Sequence, residues 1–122
     1  MKITIFCGGP SSEHDVSLMS SASIYQTLNG ADYDLSVLYI TRKSEAYFFK
    51  PGKSLVDEVT SIPTSALEPL EKALKKNKND IGIALLAGIH GEFAEDGQLQ
   101  ELLDTYDIPF TGSSAKASRL CI

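Results

Sequence analysis

Two stretches of the chain hold side chains able to do chemistry. Between Gly88 and Gly97 the sequence places one imidazole, His90, three carboxylates, Glu92, Glu95 and Asp96, and three glycines. That composition does not pack as core, and it follows directly on the apolar run Ile81 to Leu86. An imidazole there can donate a hydrogen bond to a carboxylate or to a developing oxyanion, or simply cap its own loop, and the residue types leave the two readings level. The second stretch is Gly8-Gly9-Pro10-Ser11-Ser12-Glu13. An acid at a helix N-terminus in a crevice suits an ammonium group, whose charge it neutralises through charge-assisted hydrogen bonds. Composition alone favours the plainer alternative for Glu13, a solvated acid in a first turn.

Other chemistries fit less well. Gly8-Gly9 beside a helix start resembles an anion site only superficially, because neither glycine-rich phosphate signature is present and Glu13 stands where a phosphate would want no acid. A tight turn is the reading kept for these glycines. Glu95-Asp96 reads as a pair of helix caps, since no His or Cys at ligand spacing joins it to form a metal site. Ser11, Ser12 and Ser17 lack the nucleophile elbow of serine hydrolases. His14 is expected to be exposed.

Positioning these residues requires strands that end at the two loops. Lys2 to Cys7 (KITIFC) is a β-rich run broken by Gly8-Gly9-Pro10, the pattern of a central strand. A helix is expected from near Ser12, where Ser12 and Asp15 resemble a capping box, with Leu18, Ala22, Tyr25 and Leu28 as its buried stripe, small residues allowing a close approach to the sheet, and Asn29-Gly30 as its stop. Tyr33 to Thr41 predicts a second strand. Arg42 to Thr64 carries little signal: a short edge strand over Ala46 to Phe49, a turn at Lys50-Pro51-Gly52, and otherwise a surface excursion. Ser65-Ala66-Leu67-Glu68 reads as a capping box opening a helix that turns Leu67, Leu70 and Leu74 inward and ends in a lysine-rich, solvated turn. Ile81 to Leu86, apolar on both faces, predicts a parallel strand covered from both sides. Asp96 would cap the next helix, whose stripe is Leu99, Leu102, Leu103 and Tyr106, with Gln98, Gln100, Glu101 and Asp104 facing water. A short strand, Ile108 to Thr111, and a turn at Gly112-Ser113-Ser114 follow.

The predicted fold class is therefore α/β: an open, mostly parallel sheet flanked by helices on both faces. Ligands of such sheets lie beyond the carboxyl ends of the strands, where neighbouring connections depart in opposite directions. If the first strand neighbours the Ile81 strand, Glu13 and His90 share one crevice, with side chains within about 10 Å of each other across strands spaced about 5 Å apart.

At 122 residues the chain reads as one domain, able to bury roughly two thirds of its unfolded surface. Its 43% hydrophobic and 22% charged residues are ordinary globular values. A formal charge of -5 offers no basic face to nucleic acid or to an anionic membrane. Cys7 and Cys121 sit near opposite ends with no metal or redox spacing, consistent with reduced thiols in a cytoplasmic protein. No segment approaches a signal peptide or a membrane span in the sequence.

Gly8 to Leu18 (GGPSSEHDVSL) and His90 to Ser113 (HGEFAEDGQLQELLDTYDIPFTGS) resemble the N-terminal domain of D-alanine-D-alanine ligases. The family pattern is Gly-Gly-x-Ser-x-Glu-x-x-Val-Ser, then His-Gly-x-x-Gly-Glu-Asp-Gly-x-x-Gln, then Ile-Pro-Tyr-Thr-Gly-Ser. Two long motifs in the right order make the resemblance specific, and it covers essentially the whole chain. Ala94 departs from the usual glycine, making that loop less free to take positive φ, and Phe110 replaces a tyrosine.

The resemblance implies a Rossmann- or flavodoxin-like domain preceding two ATP-grasp segments, which bind ATP with magnesium or manganese and are absent from this chain. The chain then reads as the first domain, residues 1–122, of a longer ligase that joins two D-alanines for peptidoglycan precursors and cell-wall biogenesis, and it is inactive alone. Carried over by position, Glu13 holds the ammonium of the first D-alanine, His90 lies near that substrate's carboxylate as it becomes the acyl phosphate, and Ser17 supports the loop. Members of the family are commonly dimers, so the resemblance also implies a homodimer. Related ligases make D-alanine-D-lactate, a choice that rests mostly outside this domain. The alternative is a stand-alone flavodoxin-like domain that binds a small ligand or a partner without catalysis.

Overall fold

The computed structural model describes residues 1–9, 14–30, 32–52, 54–86 and 98–111. Strand β1 (Lys2–Gly8) leads to helix α1 (His14–Leu28), then to β2 (Asp34–Ile40) and β3 (Glu45–Phe49). Helix α2 (Leu55–Thr60), a 3-10 turn (Thr64–Ala66), β4 (Glu68–Pro69) and α3 (Leu70–Lys76) come next. The described chain closes with β5 (Ile83–Leu85), α4 (Gln98–Thr105) and β6 (Phe110–Thr111).

One six-stranded sheet runs in the order β4-β3-β2-β1-β5-β6. β1 is parallel to both β2 and β5, and β5 is parallel to β6. The β2–β3 and β3–β4 pairs are antiparallel, so the sheet is mixed but parallel through its centre. Register follows from the apolar pattern, with Ile5 opposite Val37 on one side and Leu85 on the other.

Alternation along β1 divides the core in two. Ile5 and Cys7 pack with Val37, with Tyr25 of α1 and with Leu55 and Val59 of α2. Phe6 faces the other way, toward Leu70, Ala73 and Leu74 of α3 and Leu99 and Leu103 of α4. Helices thus cover both faces, and each fully buried leucine contributes about 1.5–3 kcal/mol relative to an exposed one. A buried polar rung crosses the sheet at the start of β1. The Thr4 and Ser36 hydroxyls lie 2.8 Å apart, and Thr4 Oγ1 accepts the Gly82 N–H at 3.0 Å.

The elements depart from sequence expectation in identifiable ways. α1 buries His14, Ser17, Ser21 and Tyr25, a stripe turned from the expected apolar one, with Leu18 and Ala22 only half-buried along its flank. Small hydroxyl side chains face the sheet because they let the helix axis come close. The segment read as a surface excursion contains α2, capped where Ser54 Oγ accepts the Asp57 N–H at 3.4 Å, with Leu55 and Val59 buried against α1 and the sheet. A helix of six residues is too short for its periodicity to stand out. The expected capping box over Ser65 to Glu68 is instead the 3-10 turn and β4, because Glu68 and Ala46 pair as strands and α3 starts only after Pro69. β3 is accordingly not the edge; β4 is. In α4, Gln100 is buried rather than facing water. The expected stripe holds: Leu99 and Leu103 are fully buried, with Leu102 and Tyr106 packed against them. The helix ends in a Schellman motif, where Asp107 at φ 56° donates to Asp104 O and Ile108 donates to Leu103 O.

Candidate functional site

After β1 the chain crosses through α1 on one face and returns at β2, while after β5 it crosses through α4 on the opposite face and returns at β6. The gap between β1 and β5 is therefore the topological switch point of the sheet, and the carboxyl ends of both strands open at the same edge. The loop after β1 carries Glu13, and the loop after β5 carries His90. Both residues lie outside the described ones, as do Ser12, the loop 87–97 and Cys121. Of the three residues given a role in the site, Glu13, His90 and Ser17, the described residues include Ser17.

Ser17 is fully buried, and its Oγ accepts the Gly8 N–H at 3.0 Å. Gly8 and Gly9 take φ of 87° and 103°, which turns the chain sharply out of β1. The Gly9 N–H donates to the Ile40 carbonyl at 2.8 Å, tying the turn to the end of β2. These glycines form a tight turn, as expected. Replacing Ser17 by alanine leaves the buried Gly8 N–H without its acceptor and costs about 1–3 kcal/mol. A lower urea midpoint at unchanged slope checks this, and an unshifted midpoint contradicts it.

His14 corrects the sequence reading. It is 4% exposed, not solvated, and both ring nitrogens are engaged. Nδ1 lies 2.8 Å from the Gly9 carbonyl oxygen, and Nε2 lies 2.8 Å from the Tyr39 hydroxyl. The two rings meet edge to face, with centroids 5.3 Å apart and planes at 81°. Burial pushes the Tyr39 phenol above its ordinary range; Cys7 and Asp15 act in the same direction, against the opposing pull of Arg42. Burial alone pushes the Cys7 thiol far up, which keeps it from acting as a nucleophile. At the surface beside this cluster, Arg42 and Asp15 form an exposed ion pair at 3.3 Å, worth little by itself. Sequence reasoning missed His14 and Tyr39 as a pair. The available signal was the helical spacing of His14, Ser17, Ser21 and Tyr25, hidden because three of the four are polar.

Fold and switch point define the class, a doubly wound α/β domain with a glycine turn at the exit of its central strand. The family described as "D-ala D-ala ligase N-terminus" matches residues 2–113, and the chain belongs to that family. A D-alanine--D-alanine ligase of Chlorobaculum tepidum is 33% identical over 136 residues, an alignment covering 98% of this chain and 37% of that protein. The solved D-alanine-D-alanine ligase of Coxiella burnetii superposes with a TM-score of 0.66 at 28% identity, covering 90% of this chain and 35% of its own. A Bacillus anthracis D-alanine--D-alanine ligase complexed with ATP superposes with a TM-score of 0.55 at 25% identity, covering 91% and 28%. The chain thus spans about a third of the length of the relatives it matches, from 28% to 37% of those named.

Among the described residues no group of three or more His, Cys, Asp or Glu is placed to hold a metal ion, and no helix is long and apolar enough to cross a membrane.

Proposed function

We propose that this chain is the first-substrate domain of an ATP-dependent ligase that joins two D-alanines into D-alanyl-D-alanine for peptidoglycan precursors. The observation carrying the proposal is the switch point: β1 and β5 are adjacent and parallel, so the family's two long motifs leave the sheet side by side at one edge. In this reading the Glu13 carboxylate holds the ammonium of the first D-alanine. His90 donates to that substrate's carboxylate, where negative charge is redistributed as the acyl phosphate forms and the second amine attacks. Ser17 holds the glycine turn from which Glu13 departs, through its bond to Gly8.

ATP supplies the phosphoryl group that activates the first carboxylate. In this reading nucleotide and magnesium or manganese are held by ATP-grasp segments outside this chain, and no metal-ligand group stands among the described residues. The working protein is a cytoplasmic homodimer that engages neither nucleic acid nor membrane.

The test is dipeptide formation by this chain joined to an ATP-grasp region, with D-alanine and ATP as substrates; absence of D-alanine-dependent phosphate release rejects the reading. The 122 residues alone are expected neither to bind ATP tightly nor to form dipeptide, because the sequence carries no phosphate loop. Calorimetric detection of micromolar ATP binding by the chain alone would reverse this division of labour.

A further inference from the structure

We propose that His14 and Tyr39 are a positioning pair that sets the conformation of the Gly8-Gly9 turn. Glu13 follows four residues after Gly9 in the sequence, so the consequence for substrate rests on the function proposed above. Gly9 at φ 103° has no side chain to restrict it, so its conformation must be held from outside.

Both of its polar groups are held from β2. Its N–H donates directly to the Ile40 carbonyl at 2.8 Å. Its carbonyl is held through His14, whose far nitrogen reaches Tyr39 on the same strand.

The direction of this relay follows from donor chemistry. A carbonyl only accepts, so the His14 proton lies on Nδ1 and points at Gly9. A neutral ring then has an accepting Nε2, which takes the Tyr39 O–H. Tyr39 is itself fixed in the ladder, opposite Cys7 on β1 and Tyr47 on β3. His14 is the first residue of α1, and its ring bonds back to Gly9, five positions earlier in the chain. A histidine that merely filled space would need neither nitrogen aligned.

Imidazole ¹⁵N NMR of the chain should find His14 locked with its proton on Nδ1; a proton on Nε2 instead overturns the relay. His14→Asn, whose amide can stand in for Nδ1–H, should leave the Gly8 and Gly9 amide resonances close to wild type, whereas His14→Leu should displace them. Displacement in neither variant, or equally in both, overturns the proposal. In the ligase joined to its ATP-grasp region, His14→Leu should raise KM for D-alanine about tenfold, the worth of one charge-free buried hydrogen bond. KM for ATP should stay put, and His14→Asn should recover most of the loss. Should His14→Leu fail to fold, the tautomer and the comparison of His14→Asn with Tyr39→Phe, which keeps the ring and removes the hydroxyl, still decide. A wild-type D-alanine KM in His14→Leu beside an impaired Glu13→Gln removes the positioning role alone, whereas an unimpaired Glu13→Gln removes the ligase-site reading.

Discussion

Glu13→Gln in the ligase that carries this chain should lower kcat/KM for the first D-alanine by roughly 30-fold to several thousandfold, while KM for ATP barely moves. The substitution keeps the shape and one acceptor oxygen but deletes the charge. A desolvated ammonium left without its counter-ion costs about 2–5 kcal/mol, by analogy with truncating one partner of a buried charge pair. At about 1.4 kcal/mol per factor of ten, that cost gives the stated range. A solvated first-turn acid behaves differently: its loss weakens a helix-dipole interaction by about 0.5 kcal/mol and leaves kinetics alone. Steady-state kinetics with each substrate varied, beside a melting curve of the same variant, separates the two. Unchanged kcat/KM for D-alanine with a slightly lowered Tm takes Glu13 out of the site.

Gly8→Ala should destabilise the 122-residue chain itself by about 2–5 kcal/mol. Two costs combine. At φ 87° an L side chain pays about 1–2 kcal/mol for the left-handed region. The added Cβ would also run into the Ile40 carbonyl oxygen and press on His14 Cε1 and Tyr39 Cε1, each 3.0 Å away. Backbone cannot give way as a flexible side chain can, so overpacking of about 1–3 kcal/mol adds to the first cost. With an unfolding entropy of about 2.1 cal/mol/K per residue, each kcal/mol lowers Tm by about 4 °C, and the expected drop is roughly 8–20 °C. Gly30→Ala is the control, since a Cβ there meets nothing within 4 Å. A Gly8→Ala variant that melts with the wild type would show that the turn is not built as described.

The sequence by itself determined the kinds of element and the identity of the motifs. β1 was readable from KITIFC ending in two glycines, and α4 from Leu99, Leu102, Leu103 and Tyr106, because apolar spacing and turn chemistry are encoded within a window of a few residues. The parallel, doubly covered character of β5 was readable in the same way, although its paired span contracts to Ile83–Leu85. Tertiary structure alone decided what depends on distant partners. The β2-β1-β5 adjacency that brings the two motif loops to one edge is a pairing choice between segments about eighty residues apart, and the apolar pattern of β1 suits either neighbour equally. α2 becomes a helix where Leu55 and Val59 meet Tyr25, although its own six residues carry too little periodicity to announce it. His14 makes the point most sharply. A histidine two residues from an exposed Val16 reads as solvated until the Tyr39 hydroxyl and the Gly9 carbonyl are placed on either side of it. Burial of a polar group is decided by partners that satisfy it, and those partners are supplied by the fold, not by neighbours in the chain.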